Sequence, residues 1–294
     1  ANITRAFTGI SAGDGGGGID TYATIGDIEG LFSGNYAGRE GGAIMNAGTI
    51  DNIISDFANN GTTIDKNSNG GAIFNIGVIK TIEGDFTGNY SGYFGGAIYN
   101  NGGTLTKITG NFSNYSARNE GGAIHNNGTI GTISGNFKDN YVFSSTALGG
   151  AIWTSKDMTF SADGEVYEFT GNYVSNDEGK TKDYNAIYVS NYISSSVNLT
   201  FDLKNGGSYT MNDNIKGDDG YTINLVGDGT DTVFDLNNTI SGKFNLSMNN
   251  TTLDINNNVI DSFTLGKFTS SGTSKIKIDL DGTNGLIDNF VADT

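Results

Sequence analysis

The sequence predicts an all-β fold, a right-handed parallel β-helix whose coils are about 25 residues long and shorten toward the C-terminus. Three observations predict it. A tetrapeptide recurs at nearly constant spacing, apolar triplets keep fixed offsets between its copies, and proline is absent from all 294 residues.

Gly-Gly-Ala-Ile starts at Gly41, Gly70, Gly95, Gly121 and Gly149. An imperfect copy, Gly16-Gly17-Gly18-Ile19, precedes these, and a degenerate one, Tyr184-Asn185-Ala186-Ile187, follows. The steps between starts are 25, 29, 25, 26, 28 and 35 residues, the size of one supersecondary unit in a stacked repeat. A second motif, Phe-x-Gly-Asn-Tyr, interleaves with the first. It is complete at Phe32, Phe86 and Phe169 and looser at Phe57, Phe112 and Phe137.

Between the two motifs lie the triplets Ile25/Ile28/Phe32, Ile50/Ile53/Phe57, Ile79/Ile82/Phe86, Leu105/Ile108/Phe112 and Ile130/Ile133/Phe137. Offsets of three and four also suit an amphipathic helix. The windows argue against one, because β-branched residues dominate and Gly30, Gly84, Gly110 and Gly135 interrupt them. A helix-interior glycine costs roughly 1 kcal/mol relative to alanine. Two short strands joined at a corner place the same three residues inward.

One such coil cannot bury its apolar face alone. Stacking coils about 4.8 Å apart sets Ile on Ile and Phe on Phe and pairs the backbone with the coils on either side. Proline cannot donate to such a ladder, so its absence fits. Insertions should gather at one corner. The distance from Phe to Gly-Gly is 9 residues in three coils, but 13 after Phe57 and 12 after Phe137.

From about Val197 the tetrapeptide disappears and short alternating strands follow: Val197–Leu203, Tyr221–Leu225, Thr232–Leu236, Phe244–Met248, Thr252–Ile255 and Ser274–Leu280. Period-two alternation between Gly, Asn and Asp turns reads as strand and turn. The division expected is 1–192, a β-helix of Gly-Gly-Ala-Ile repeats, and 193–294, the same helix continuing in shorter, degenerate coils.

Composition narrows function. Sixteen Lys plus Arg stand against 32 Asp plus Glu, a formal charge of −16, and the arginines are only Arg5, Arg39 and Arg118. Such a surface repels phosphate backbones, so no nucleic acid partner is expected. With no cysteine there is neither a disulfide framework nor a thiolate metal site. No stretch approaches 18 apolar residues, so no transmembrane helix is expected. The fixed apolar register argues against disorder despite the Gly- and Asn-rich composition. The start, Ala1-Asn2-Ile3-Thr4, reads as a mature N-terminus whose export signal has been removed.

The pairing of Gly-Gly-Ala-Ile with Phe-x-x-Asn over residues 16–190, clearest from Gly41 to Ile152, resembles the repeats of chlamydial polymorphic outer-membrane proteins and related autotransporter passengers. The segment Lys275-Ile-Lys-Ile-Asp-Leu-Asp-Gly-Thr-Asn-Gly-Leu-Ile-Asp-Asn-Phe is also similar to passenger segments upstream of a membrane barrel. The resemblance implies a bacterial protein exported to the cell surface, a β-helical shaft and an adhesive role. No barrel follows Thr294, which leaves a released or trimmed passenger, or a separate secreted protein. Open coil ends add a further expectation, stacking with itself into fibres.

The residue after each Gly-Gly-Ala-Ile is Met45, Phe74, Tyr99, His125 and Trp153, with Tyr188 in the degenerate copy. If the preceding Ile points inward, alternation aims this residue outward, giving a stripe for sugar rings or a protein partner. The competing reading is a self-stacking ladder or a stripe covered by the longer insertions. His125 is the sole histidine and has no clustered partners to make a metal site or a triad. Asn46, Asn75, Asn100 and Asn126 follow one residue later and should stack as an amide ladder along the axis. Tyr36, Tyr90, Tyr141 and Tyr173 should stack at the other corner.

Two acidic turns are weak Ca²⁺ candidates: Gly227–Asp231, and the turn carrying Asp279 and Asp281 with Asp288 beyond. Ordinary turn chemistry explains both, so neither metal nor cofactor is expected. Asp56 and Asp85 align one coil apart, but Asn111 and Asn136 continue the position, which describes a polar ladder rather than a catalytic dyad. The function expected is therefore a non-catalytic extracellular structural or adhesive rod. The alternative is a carbohydrate- or host-protein-binding adhesin using the stripe, and a polysaccharide lyase or hydrolase comes third.

Overall fold

The computed structural model describes every residue except 65, 66, 178, 179, 195, 230, 282, 293 and 294. It is a parallel β-solenoid of about 11 turns, and the described residues contain no helix. Two long sheets run along it, of 21 and 16 strands, and almost every pairing within them is parallel.

The inward rows follow the triplets. In the larger sheet Ile28, Ile53, Ile82, Ile108 and Ile133 lie in one register row, each fully buried. Beside it Phe7, Phe32, Phe57, Phe86, Phe112, Phe137 and Phe169 form a continuous stack, with ring centroids 4.6 to 5.0 Å apart and rings within 10° of parallel. That spacing is the strand-to-strand distance of a β-ladder, so the backbone repeat sets the ring stack. In the smaller sheet the row is Ile19, Ile44, Ile73, Ile98, Ile124, Ile152, Ile187, Ile215 and Ile240.

The repeated tetrapeptide has a steric reason. Gly41 has φ of 64°, and a Cβ there would lie 2.0 Å from the Ile44 carbonyl oxygen. A Cβ on Gly42 would lie 2.1 Å from the Gly71 oxygen of the next coil. The first glycine makes a tight left-handed corner, and the second lets two coils touch backbone to backbone. Ala43 and Ile44 are then fully buried at the start of the smaller sheet.

The larger sheet does not break at residue 192. The strand Met158–Asp163 pairs in register with Asn198–Lys204, joining Phe160 to Phe201, and residues on both sides share one hydrophobic core. Beyond this point the register steps shorten: Leu199 pairs Ile223, Ile223 pairs Leu246, and Leu246 pairs Phe268. The smaller sheet ends with the strand Ile240–Ser241. The chain between Asp163 and Asn198 makes a long excursion in which Tyr173–Ser175 pairs antiparallel with the start of Asp183–Val189.

Candidate functional site

Two amide ladders flank the core. Asn46 Nδ2 donates to Asn75 Oδ1 at 2.8 Å, Asn75 to Asn100 at 2.9 Å, and Asn100 to Asn126 at 3.0 Å; Asn126 then donates to Thr154 Oγ1 at 3.3 Å. All four asparagines are fully buried. The second ladder uses the Asn of the Phe-x-Gly-Asn-Tyr motif, whose burial the sequence reading did not anticipate. Asn35 donates to Asn60 and Asn60 to Asn89, Tyr115 takes the next place, and Asn140 donates to Asn172. Buried Asp213 terminates it, accepting from Gly171 N, Asn172 N and Asn172 Nδ2. Burial raises the Asp213 carboxyl above its ordinary value, against the pull of those donors. The tyrosine stack expected at this corner is partial. Tyr141 and Tyr173 stack at 5.3 Å, whereas Tyr36 and Tyr90 are separated by Gly61, over which the Tyr90 ring folds.

The stripe of Met45, Phe74, Tyr99, His125, Trp153 and Tyr188 is in register along the smaller sheet, outside the central core. It is not the exposed face expected from alternation. Met45, Phe74, Tyr99, His125 and Trp153 are all below 9% exposed, and Tyr188 is half-buried. The cover comes from the residue before each Gly-Gly. Gly15, Glu40 and Asn69 form one bridged row, and Phe94, Glu120 and Leu148 another. The Gly-Gly corner turns this row back over the stripe, so Phe94 packs against Tyr99 and His125. Short-range alternation counts the side of the strand correctly but carries no information about a neighbouring segment folded across it.

The cover gives way beside Trp153. Between the sixth tetrapeptide copy and the shorter coils there is a cleft of about 470 Å³ lined by Phe94, Glu120, His125, Asn127, Leu148, Trp153, Tyr188, Ser190, Tyr192 and Asp218. The next position of the covering row, Asp183, pairs antiparallel with Val174 instead, and the excursion supplies Tyr192, which is 85% exposed. His125 stacks on Trp153, with centroids 4.2 Å apart and planes 12° off parallel, and its Nε2 lies 2.9 Å from Glu120 Oε2. Asp218 accepts from the Tyr188 hydroxyl at 2.7 Å, Ser190 Oγ at 3.3 Å and Asn191 N at 2.9 Å. The sequence signal for this site was the 35-residue step from Gly149 to Tyr184, the largest departure from the repeat.

Burial lowers the His125 pKa, outweighing the hydrogen bond and charge of Glu120, so the ring is neutral at physiological pH. With Nε2–H donating to Glu120, Nδ1 is an acceptor, and it is buried with no hydrogen-bond donor. Burial, then the bond to Asp218, pushes the Tyr188 phenol well up. Among the described residues no Lys or Arg lines the cleft. The next stripe position is Lys216, whose ammonium pairs with Asp183. Glu120 and Asp218 therefore face the cleft with neutral partners only.

The acidic turns are closed by the chain's own donors. Asp288 accepts from Asp261 N and Asp279 N, Asp279 from Asn257 N, and Asp281 from Thr283 N, Asn284 N and Asn284 Nδ2. These bonds hold the small hairpin of Leu280–Asp281 with Leu286–Ile287. Asp228 accepts from Asn205 N. Thr230 and Gly282 of the two turns, and Thr294, lie outside the described residues. No group of three or more potential metal ligands converges among the described residues. Asp56, Asp85, Asn111 and Asn136 form a ladder in which each side-chain oxygen accepts the backbone N–H of the next coil, and the Asn111 and Asn136 amides donate back to the coil before.

No protein-family model, no curated protein and no solved structure matches the chain.

Proposed function

We propose that the chain is a rigid, surface-displayed shaft of an exported bacterial protein, passenger-like in its repeats, which acts by binding rather than catalysis. The observation that carries this reading is the internal stacking of the coils. Phe, Ile and Asn each repeat on themselves coil after coil, and the one large departure from the repeat builds an open cleft on the outside of the shaft. A rod with one interrupted flank suits display and attachment. The cleft's two carboxylates lie at opposite ends and each is bonded to neutral groups of the chain, an arrangement that does not converge on one scissile bond.

The test immobilises the purified chain and measures attachment of host cells alongside release of reducing ends from a panel of polysaccharides. Saturable attachment without polysaccharide cleavage supports the reading. Turnover of any polysaccharide overturns it in favour of a lyase or hydrolase.

Self-association is a second reading, favoured by apolar surface on the last coils, where Phe268, Ile276, Leu280 and Leu286 are 36 to 72% exposed. A further coil or a second copy would cover it. Sedimentation that shifts to larger species with concentration supports a second copy, and an unchanged monomer removes it.

A further inference from the structure

The cleft at Trp153 combines three features found together nowhere else among the described residues: an aromatic floor, carboxylates without a cation, and a break in the covering row. The floor runs along the solenoid axis, with His125, Trp153 and Tyr188 in consecutive coils. Glu120 belongs to the coil of His125, and Asp218 to the coil after Tyr188. Three coil steps of about 4.8 Å separate those ends by about 14 Å. The site is thus elongated, apolar along its middle and negative at both ends.

Each carboxylate is desolvated on one side and held by neutral groups: Glu120 by the uncharged His125, and Asp218 by two hydroxyls and a peptide N–H. Partly buried carboxylates with only neutral partners attract a cation more strongly than solvated ones do. Aromatic faces alongside reinforce the preference, since the ring quadrupole attracts an ammonium group within about 6 Å. Tyr192, standing in solvent at the rim, and half-buried Tyr188 offer flat faces to a ring, and Asn127 lines the cleft beside them.

We propose that this cleft binds a short oligosaccharide carrying free, protonated amines, with sugar rings against Tyr188, Tyr192 and the Trp153 floor and the ammonium groups at Glu120 and Asp218. The inference rests on the reading of the chain as a binding protein and names the chemistry that this cleft takes. Rings with amines fit the arrangement better than an extended peptide, because flat aromatic faces lie between the two carboxylates along the floor.

The experiment is calorimetric titration of the whole chain with a glucosamine tetrasaccharide at about 0.15 M salt, where the Debye length of about 8 Å suppresses diffuse attraction by the net charge. The N-acetylated tetrasaccharide and a tetralysine peptide serve as comparison ligands. The free-amine sugar should bind at least about tenfold more tightly than either. Asp218→Asn and Glu120→Gln should each weaken it about tenfold, and Asp20→Asn, an exposed acid far from the cleft, should leave it unchanged. Tyr192→Ala keeps the test decisive if Asp218→Asn fails to fold, because Tyr192 is 85% exposed and its loss should still weaken binding several-fold. Equal binding of the N-acetylated sugar, equal or tighter binding of tetralysine, or affinity unchanged by Tyr192→Ala and Glu120→Gln overturns the proposal. Host-cell attachment that persists in those variants would leave the shaft reading intact, and cleavage of the tetrasaccharide would overturn both.

Discussion

The coils before residue 190 and those after Asn198 bury comparable apolar rows but lock their register differently. In the earlier coils the Phe row and the Ile row of the smaller sheet stack on their own kind, and two buried amide ladders run beside the core. In the later coils the inward row mixes residues: Phe201 sits on Leu225 and Leu225 on Met248. Their asparagines lie nearer the surface, as with Asn224 and exposed Asn237. A buried amide that donates to its copy in the next coil penalises any slip, because a misplaced partner leaves polar atoms unsatisfied. Plain period-two alternation penalises only odd slips. Strict repetition in sequence is thus the visible trace of a polar register lock, and its relaxation after residue 190 marks where that lock ends.

Glycine substitutions should break the comparison most sharply. Gly96→Ala places a Cβ 2.2 Å from the Gly122 carbonyl oxygen of the adjoining coil, so a loss of more than about 4 kcal/mol is expected, enough to prevent folding of the repeat. Gly206→Ala in the later coils meets nothing within 4 Å and carries only the strain of φ near 78°, about 1–2 kcal/mol. Urea unfolding of the two variants measures the difference; similar midpoints would deny the close approach.

The amide lock itself predicts the next effect. Asn100→Ala removes two buried amide–amide bonds, from Asn75 Nδ2 and to Asn126 Oδ1; Asn75 keeps the Gly77 carbonyl and Asn126 the Gly128 N–H, so the loss should be about 1–3 kcal/mol in all. Asn237→Ala, which removes an exposed bond to Asn212, should stay within about 0.5 kcal/mol. A loss at Asn100 as small as that at Asn237 would remove the polar lock from the account.

A smaller effect comes from His125. Burial holds its folded-state pKa below the ordinary value of 6.5, so between those two values the unfolded chain binds the proton more readily than the folded one. Stability from this group is therefore complete above pH 6.5 and falls as the pH drops toward the folded pKa. His125→Phe, a residue type the stripe already holds at Phe74, should flatten the difference in unfolding free energy between pH 7.5 and 5.5 relative to the parent chain. An unchanged pH slope would place the titration elsewhere.

The smallest expected change tests the one interruption of the second ladder. Tyr115, fully buried, takes an asparagine's place, and its hydroxyl accepts from Asn89 Nδ2 at 3.3 Å. Asn89 Nδ2 also donates to the Phe57 carbonyl, so Tyr115→Phe should cost only about 0.5–1.5 kcal/mol. A larger loss in thermal or urea unfolding would show that the tyrosine carries more of the ladder than its geometry indicates.

By itself the sequence determined the solenoid. Gly-Gly-Ala-Ile, the Ile and Phe offsets and the absence of proline each encode a contact made with the chain's own next coil, so spacing in sequence translates directly into stacking in space. It equally determined which strand face the Met45-to-Tyr188 stripe occupies, because side-chain alternation is local. Only the tertiary structure decided that the stripe is roofed by the Glu40, Phe94, Glu120 and Leu148 positions, that the motif asparagines Asn35, Asn60 and Asn89 lie inside the core wall, and that Asp218 and Tyr192 meet Trp153 in an open cleft. Those outcomes depend on which way a corner turns and where an excursion returns. The physical reason is that periodicity fixes translation along the axis, while the path of each corner around it is set by packing between segments that share no pattern.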